Sequence, residues 1–168
     1  MISQKIETAF NEQIAAELYS GYLYLSMAMH FAAEDLPGMS HWMRLQAMEE
    51  FTHADKFAHH ILERGGAVRL AALDGPPTEW ESPREAFEAA SKHEQYISKR
   101  INDLAELAET EKDRPAAILL QWYVSEQVEE EANAEANVQR LRRIGDSGPG
   151  LMMFDRELAG RQLGGSES

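Results

Sequence analysis

Apolar side chains recur every three or four positions along nearly the whole chain, which is the spacing of amphipathic α-helices. Proline and glycine interrupt this spacing at a few points, and Ser82 before Pro83 has the pattern of a helix start. Little of the chain remains for β-strands. The pattern predicts helices over residues 3–35, 39–64, 83–111, 115–144 and 150–163, followed by a disordered tail at 164–168.

The connection at residues 65–82 is much longer than the few residues that usually join neighbouring helices. A helix of about 27 residues is about 40 Å long, and about sixteen extended residues reach about 53 Å, so this connection can run the length of a bundle. The second and third helices are then parallel. The predicted fold is a single all-α domain over 1–168, a four-helix bundle with one long crossover loop and a short fifth C-terminal helix.

Each of the four long helices carries a polar residue of a metal-binding type within its apolar stripe, near the middle of the helix. A single glutamate beside an apolar stripe usually belongs to the solvated flank, but four at similar depth indicate a shared site. These residues are Glu17 on the first helix, Glu50 and His53 on the second, Glu94 on the third, and Gln127 and Glu130 on the fourth.

Four inward carboxylates would repel one another and need a counter-charge, and the apolar stripes supply no lysine or arginine. Two divalent cations would cancel their charge. The chain has no cysteine, so ligands must be oxygen and imidazole, which suit iron or manganese; zinc remains an alternative occupant. The sequence therefore predicts a dinuclear metal site inside the bundle.

The chain has 29 acidic residues against 16 basic ones, for a formal net charge of −13. This balance disfavours nucleic acids and anionic membrane surfaces as partners and favours cations. No stretch approaches the roughly 20 apolar residues of a membrane span, and the N-terminus lacks the pattern of a secretory signal. We expect a cytoplasmic protein with no nucleic-acid or membrane partner.

The chain resembles the bacterial non-haem ferritins over nearly its whole length, including the long loop and the short fifth helix. Helix 4 has Gln127-x-x-Glu130 where bacterioferritins and related di-iron proteins keep a second Glu-x-x-His, and this departure matches the asymmetric centre of ferritins. The resemblance rests on Glu17, Tyr24, the Glu50–His53 element, Glu94 and the Ser125–Glu130 element.

The resemblance implies a ferritin-like bundle that oxidises and stores iron. Glu17 and His53 would bind the first iron ion, Glu50 would bridge, and Glu94 with Glu130 would bind the second. Such a protein is a ferroxidase, with dioxygen or peroxide as its oxidant.

Further residues match other positions of the family. Gln127 would be a hydrogen-bonding residue or weak ligand, and Tyr24 would orient a carboxylate. Physical grounds alone slightly favour Tyr24 as an ordinary core aromatic with a satisfied hydroxyl. Glu49, Glu126 and Glu129 match the ligands of the third iron site that bacterial ferritins often have. Their alternative interpretation is a solvated acidic flank.

The resemblance also implies a hollow homo-oligomer of 24 subunits that holds a ferric mineral. Haem is not expected, because Phe51 stands where bacterioferritins have the haem-binding methionine. Two alternatives stay open at this point: a bacterioferritin-like protein with a stable di-iron cofactor, and a helical bundle without catalysis.

Overall fold

The structure is a computed structural model that describes residues 1–163, and the tail predicted to be disordered lies outside these residues. Within this range there are five helices and no strands. The all-α prediction is therefore confirmed. The helices are α1 (Gln4–Ala33), α2 (Pro37–Glu63), α3 (Pro83–Thr110), α4 (Arg114–Ile144) and α5 (Gly148–Leu158).

The helix starts follow from local chemistry. The side chains of Ser3, Ser82, Asp113 and Ser147 each accept a hydrogen bond from a backbone N–H in the first turn of α1, α3, α4 and α5. Helix α2 begins two residues earlier than predicted, with Pro37 at its first position.

The predicted end of the fifth helix at residue 163 was wrong, since α5 stops at Leu158. There the backbone tightens into turns in which Gly160 N–H donates to Glu157 O and Arg161 N–H donates to Leu158 O. The start was also misplaced by two residues, because Ser147 caps the helix at Gly148.

The long connection between α2 and α3 runs along α1. At one end, Asn11 Nδ2 donates to Ala67 O (3.0 Å), and at the other Ser26 Oγ donates to Pro77 O (2.6 Å). These two anchor points on α1 are about 22 Å apart at 1.5 Å per residue. The loop therefore returns the chain to the end of the bundle where α2 began, and α2 and α3 are parallel.

Two apolar cores lie on either side of the middle of the bundle. One contains Tyr24, Phe31, Trp42 and Phe87, and the other contains Phe10, Phe57, Ile97 and Tyr123. Between them lies a layer of buried polar residues: Glu17, Glu50, His53, Glu94, Gln127 and Glu130. The residues of this layer are at most 5% exposed.

Helix α5 packs against the first turn of α2. A Cβ added at Gly38 would lie 1.7 Å from the backbone oxygen of Asp155, so only glycine allows this approach. The Asp155 carboxylate accepts a hydrogen bond from the Met39 N–H (2.8 Å). Within residues 1–163, no helix combines the length and the apolar character that crossing a bilayer requires.

Candidate metal centre

Helices α1 and α2 bring together three of the ligands that the sequence predicts. Glu17, Glu50 and His53 each offer a ligand atom, and these atoms lie within 4.8 Å of one another. Glu50 and His53 are one turn apart on α2, with His53 Nδ1 3.6 Å from Glu50 Oε2. All three residues are at most 4% exposed. The grouping provides both imidazole and carboxylate donors in a dry interior.

Glu17 is held by a relay of hydrogen bonds that reaches the surface. Gln13 Nε2 donates to Glu17 Oε1 (2.8 Å), and Arg100 Nε donates to Gln13 Oε1 (2.8 Å). The other carboxylate oxygen, Glu17 Oε2, is buried without a hydrogen-bond partner among residues 1–163. A buried carboxylate oxygen without a donor is costly unless a cation or a proton satisfies it.

Glu94, on α3, lies in the same layer, and both of its carboxylate oxygens accept hydrogen bonds. The Tyr24 hydroxyl donates to Glu94 Oε1, and Gln127 Nε2 lies 3.2 Å from Glu94 Oε2. Gln127 Nε2 also lies 3.2 Å from Ser98 Oγ. Tyr24 and Gln127 thus fix the orientation of this carboxylate.

Glu130 completes the layer from α4. Gln46 Nε2 donates to Glu130 Oε2 (2.9 Å), while Gln46 Oε1 is buried and has no donor within the described part of the chain. Glu130 also forms a second candidate group with His53 and Glu126, whose ligand atoms all lie within 4.8 Å of one another. His53 therefore belongs to both groups.

Burial makes this layer unfavourable for unbalanced negative charge. Burial, together with the neighbouring Glu94, raises the pKa of Glu17 from 4.5 to about 7 and that of Glu130 from 4.5 to about 8. The pKa values of Glu50 and Glu94 are also raised, chiefly by burial. A bound cation would supply the missing positive charge.

His53 is adapted for ligation. Burial, together with the nearby Lys56, lowers the pKa of His53 to about 4, so its ring is neutral near pH 7 and a nitrogen lone pair is free. Its backbone oxygen accepts a hydrogen bond from the Tyr123 hydroxyl (2.6 Å), and its ring lies edge-on to Trp122 at 5.5 Å between centroids. These contacts fix the position of the ring.

The three residues matched to a third iron site are placed unequally. Glu126 is partly buried, and its pKa is raised by burial and by the neighbouring Glu129 and Glu49. Glu129 is exposed on α4. Glu49 already has a partner, since Arg161 Nη2 lies 2.7 Å from Glu49 Oε2. Of the three, only Glu126 belongs to a candidate group of metal-ligating side chains among residues 1–163, and Glu49 is bound to a cationic side chain.

Sequence reasoning missed several residues that contact the centre. Gln13 and Gln46 each lie one helical turn before a predicted ligand, Glu17 and Glu50, and this spacing was a usable signal. Arg100 and Arg161 gave no such signal. Both approach the acidic layer from outside the apolar stripes and supply positive charge that the stripes lack.

Comparison with known proteins identifies the family. A model of the ferritin-like domain matches residues 7–144, and the chain belongs to the ferritin family. This agrees with the fold and with the carboxylate and histidine layer described above.

Among its relatives are proteins named bacterial non-heme ferritin. That of Bacteroides fragilis (strain 638R) is 42% identical over 161 residues, which cover 96% of this chain and all of the relative. That of Escherichia coli O157:H7 is 36% identical over 159 residues, covering 95% of this chain and 96% of the relative. These matches confirm the resemblance to bacterial non-haem ferritins.

Solved structures of ferritins have the same fold as this chain. An open pore ferritin from the hyperthermophilic archaeon Archaeoglobus fulgidus superposes with a TM-score of 0.95 at 51% identity, covering 96% of this chain and all of that one. Together with the cluster of carboxylates and His53, the comparisons support a function in iron storage and iron oxidation.

Proposed function

We propose that the chain is a ferroxidase that oxidises ferrous iron at a dinuclear centre in the bundle and stores the ferric product in a shell of 24 subunits. The observation that carries this proposal is the layer of four buried carboxylates and a neutral histidine between two apolar cores. The unpartnered oxygens of Glu17 and Gln46 fit a cation as their missing partner. All-oxygen and imidazole donors favour iron over a soft metal.

The two iron ions bind as substrate on opposite sides of the layer. Glu17 and His53 hold the first ion, Glu50 bridges, and Glu94 with Glu130 holds the second. The grouping of Glu17, Glu50 and His53 supports the assignment of the first ion. The assignment of the second ion to Glu94 and Glu130 follows from the resemblance to the family, since Glu130 is grouped with His53 and Glu126. Carboxylates suit the reaction because they can change between terminal and bridging binding as the charge of iron increases.

Electrons and protons balance with dioxygen as the oxidant. Two ferrous ions lose one electron each, and dioxygen takes both electrons with two protons and leaves as hydrogen peroxide. Binding of the ferrous ions displaces protons from the carboxyl groups with raised pKa, including Glu17 and Glu130. With peroxide as the oxidant, the same two electrons reduce it to water.

Gln127 makes the two halves of the centre unequal. It is a neutral amide that donates to the Glu94 side chain at 3.2 Å, where a second histidine would add a strong ligand. Weaker ligation on this side favours release of ferric iron toward the mineral. A cytoplasmic location stays a prediction.

Alanine substitution of Glu50 and His53 tests the oxidation. We expect the double variant to lose at least about tenfold of the initial rate of ferrous oxidation, because it lacks the bridging carboxylate and the only imidazole of the centre. The matched control is His59→Ala with Glu63→Ala, an exposed pair on the same helix whose atoms lie 3.1 Å apart. An unchanged rate in the Glu50 and His53 variant would overturn the proposal.

Iron loading distinguishes an iron-storage protein from a protein with a permanent di-iron cofactor. In size-exclusion chromatography we expect a particle of about 24 times the 19.0 kDa chain mass, and aerobic loading should deposit far more iron than two ions per subunit. If the oxidised pair stays bound after one turnover and no more iron is taken up, the centre is a stable di-iron cofactor. A particle of a single chain would exclude storage.

A further inference from the structure

A hydrogen bond joins α1 to α3 beside the metal centre. Ser20 Oγ lies 2.7 Å from His93 Nε2, although the two residues are 73 positions apart in the sequence. Ser20 is completely buried and lies about one turn after Glu17 on α1. His93 directly precedes Glu94 on α3. The bond therefore connects the two helices that carry Glu17 and Glu94, close to the buried polar layer.

The geometry makes the His93 imidazole the donor in this hydrogen bond. The Ser20 hydroxyl has one proton, and its oxygen also lies 3.1 Å from the backbone oxygen of Ala16, which can only accept. Both contacts are hydrogen bonds only when His93 Nε2 carries a proton and donates it to Ser20 Oγ. The ring also contacts Tyr19 and Tyr96, each at 5.9 Å between centroids. These contacts hold the imidazole between α1 and α3.

A second polar contact joins the same two helices further along their axes. Arg100 Nε donates to Gln13 Oε1 at 2.8 Å. Gln13 lies seven residues before Ser20 on α1, and Arg100 lies seven residues after His93 on α3. The two helices are therefore antiparallel, and the two contacts are about 10.5 Å apart. Two contacts at this separation resist both sliding and rotation of one helix against the other.

Both Glu17 and Glu94 lie between these two contacts along their helices. The Tyr24 hydroxyl, on α1, donates to Glu94 across the same interface. Because Glu17 and Glu94 are assigned to different ions, sliding of α1 along α3 would change the separation of the two ions. Catalysis is sensitive to such displacements, since a misplacement of about 1 Å can cost about a hundredfold in rate.

We infer that Ser20 and His93 are positioning residues of the centre, whose hydrogen bond sets the register of α1 against α3 and thereby the separation of the two iron ions. The inference rests on the proposed function. Neither residue contacts an ion. Two ferrous ions must each give an electron to the same oxidant, so loss of the bond should lower the rate of paired oxidation and leave binding of the first ion unchanged.

Steady-state ferrous oxidation by the assembled full-length protein tests this inference. In His93→Leu we expect kcat to fall about tenfold with KM for ferrous iron nearly unchanged. His93→Gln keeps an N–H donor near the position of Nε2 and should restore most of kcat. The matched control is His59→Leu, an exposed histidine of α2, which should leave kcat unchanged. A kcat in His93→Gln as low as in His93→Leu would overturn the inference.

A double-mutant cycle tests whether the two residues act through one bond. Ser20→Ala removes only the hydroxyl and introduces a good helix former, so it should fold and lower kcat as His93→Leu does. The double variant should then be no slower than either single variant, because the same hydrogen bond is lost in all three. Additive losses of kcat would overturn the inference.

Crystals soaked in zinc provide a measurement that does not depend on turnover. The separation of the two zinc ions in His93→Leu should differ from that in the unmodified protein by at least about 0.5 Å, and His93→Gln should match the unmodified protein. An unchanged separation in His93→Leu would overturn the inference and leave the proposed function intact. Absence of paired zinc ions from the unmodified protein would instead contradict the proposed function.

Discussion

Asp155 of α5 caps α2, a helix that begins more than a hundred residues earlier. Its carboxylate accepts a hydrogen bond from the Met39 N–H at 2.8 Å, across 116 positions of sequence. Leu36, at the N-cap position of α2, provides no side-chain hydrogen bond. A residue of the fifth helix therefore replaces the local cap, and it does so where Gly38 allows the two backbones to touch.

Gly38→Ala should destabilise the protein, although glycine to alanine usually stabilises a helix. The new Cβ would lie 1.7 Å from the Asp155 backbone oxygen, so α5 must move. We expect a loss of more than about 2 kcal/mol in thermal or chemical unfolding. Gly148→Ala is the control, since a Cβ there has no atom within 4 Å. Equal stability of the two variants would show that the close contact between Gly38 and α5 is not needed for stability.

Asp155→Ala should cost about 1 kcal/mol, the usual contribution of a helix cap. Asp155→Asn is the matched control, because an amide oxygen can accept the same hydrogen bond from Met39 and asparagine is a good capping residue. Urea unfolding at fixed protein concentration measures both. A loss of stability in the asparagine variant as large as in the alanine variant would show that the charge, not the cap, is important.

The stability of the metal-free protein should depend on pH in a defined direction. Burial raises the pKa of Glu17 to about 7 and of Glu130 to about 8. Groups with a pKa raised by folding stabilise the folded state while protonated, and this contribution is lost as the pH rises through the folded pKa. The contribution is fully present below the unfolded pKa of 4.5, so we expect these two carboxyl groups to lower the melting temperature between about pH 4.5 and about pH 8 and to have no further effect above it.

The titration of His53 changes the stability of the metal-free protein in the opposite direction, at lower pH. Its pKa is lowered from 6.5 to about 4, so its contribution is present above about pH 6.5 and is lost as the pH falls toward 4. Glu130→Gln should reduce the decrease in melting temperature that the buried carboxyl groups cause up to about pH 8, and saturating zinc should remove it. A metal-free melting temperature that rises between about pH 6.5 and about pH 8, where His53 no longer changes its charge, would contradict the buried-carboxylate account.

Tyr24→Phe should slow ferrous oxidation by about tenfold, as removal of a residue that orients a ligand commonly does. The phenylalanine ring fills the same space but cannot donate to Glu94 Oε1. Tyr22→Phe is the control, because this tyrosine of the same helix is exposed and lies outside the buried polar layer. Equal initial rates for the two variants would show that the hydroxyl of Tyr24 is not needed.

Gln13→Ala should weaken binding of the first ferrous ion by about tenfold, since Glu17 loses the donor that orients its Oε1. Arg100→Gln should have a smaller effect of the same sign, because it acts through Gln13. Lys99→Gln, an exposed neighbour with the same change in charge, should have no effect. Anaerobic ferrous titration measures all three, and an effect of Lys99→Gln equal to that of Arg100→Gln would contradict the relay.

The sequence by itself determined the helices and which candidate ligand residues face inward. Helical periodicity fixes which side chains share a face, so Glu50 and His53 had to lie together, and Glu17, Glu94 and Glu130 had to point into the bundle. The length of the crossover connection determined that α2 and α3 are parallel. These features depend on local geometry and chain length, and both can be read from one sequence.

Only the tertiary structure decided which distant groups meet. Asp155 caps α2 and Arg161 binds Glu49 because α5 docks on one particular end of α2, and no local spacing indicates that choice. Arg100 reaches Glu17 through Gln13 because α1 and α3 lie side by side. Such contacts depend on how whole helices pack, and a periodic pattern within one helix carries no information about its neighbour.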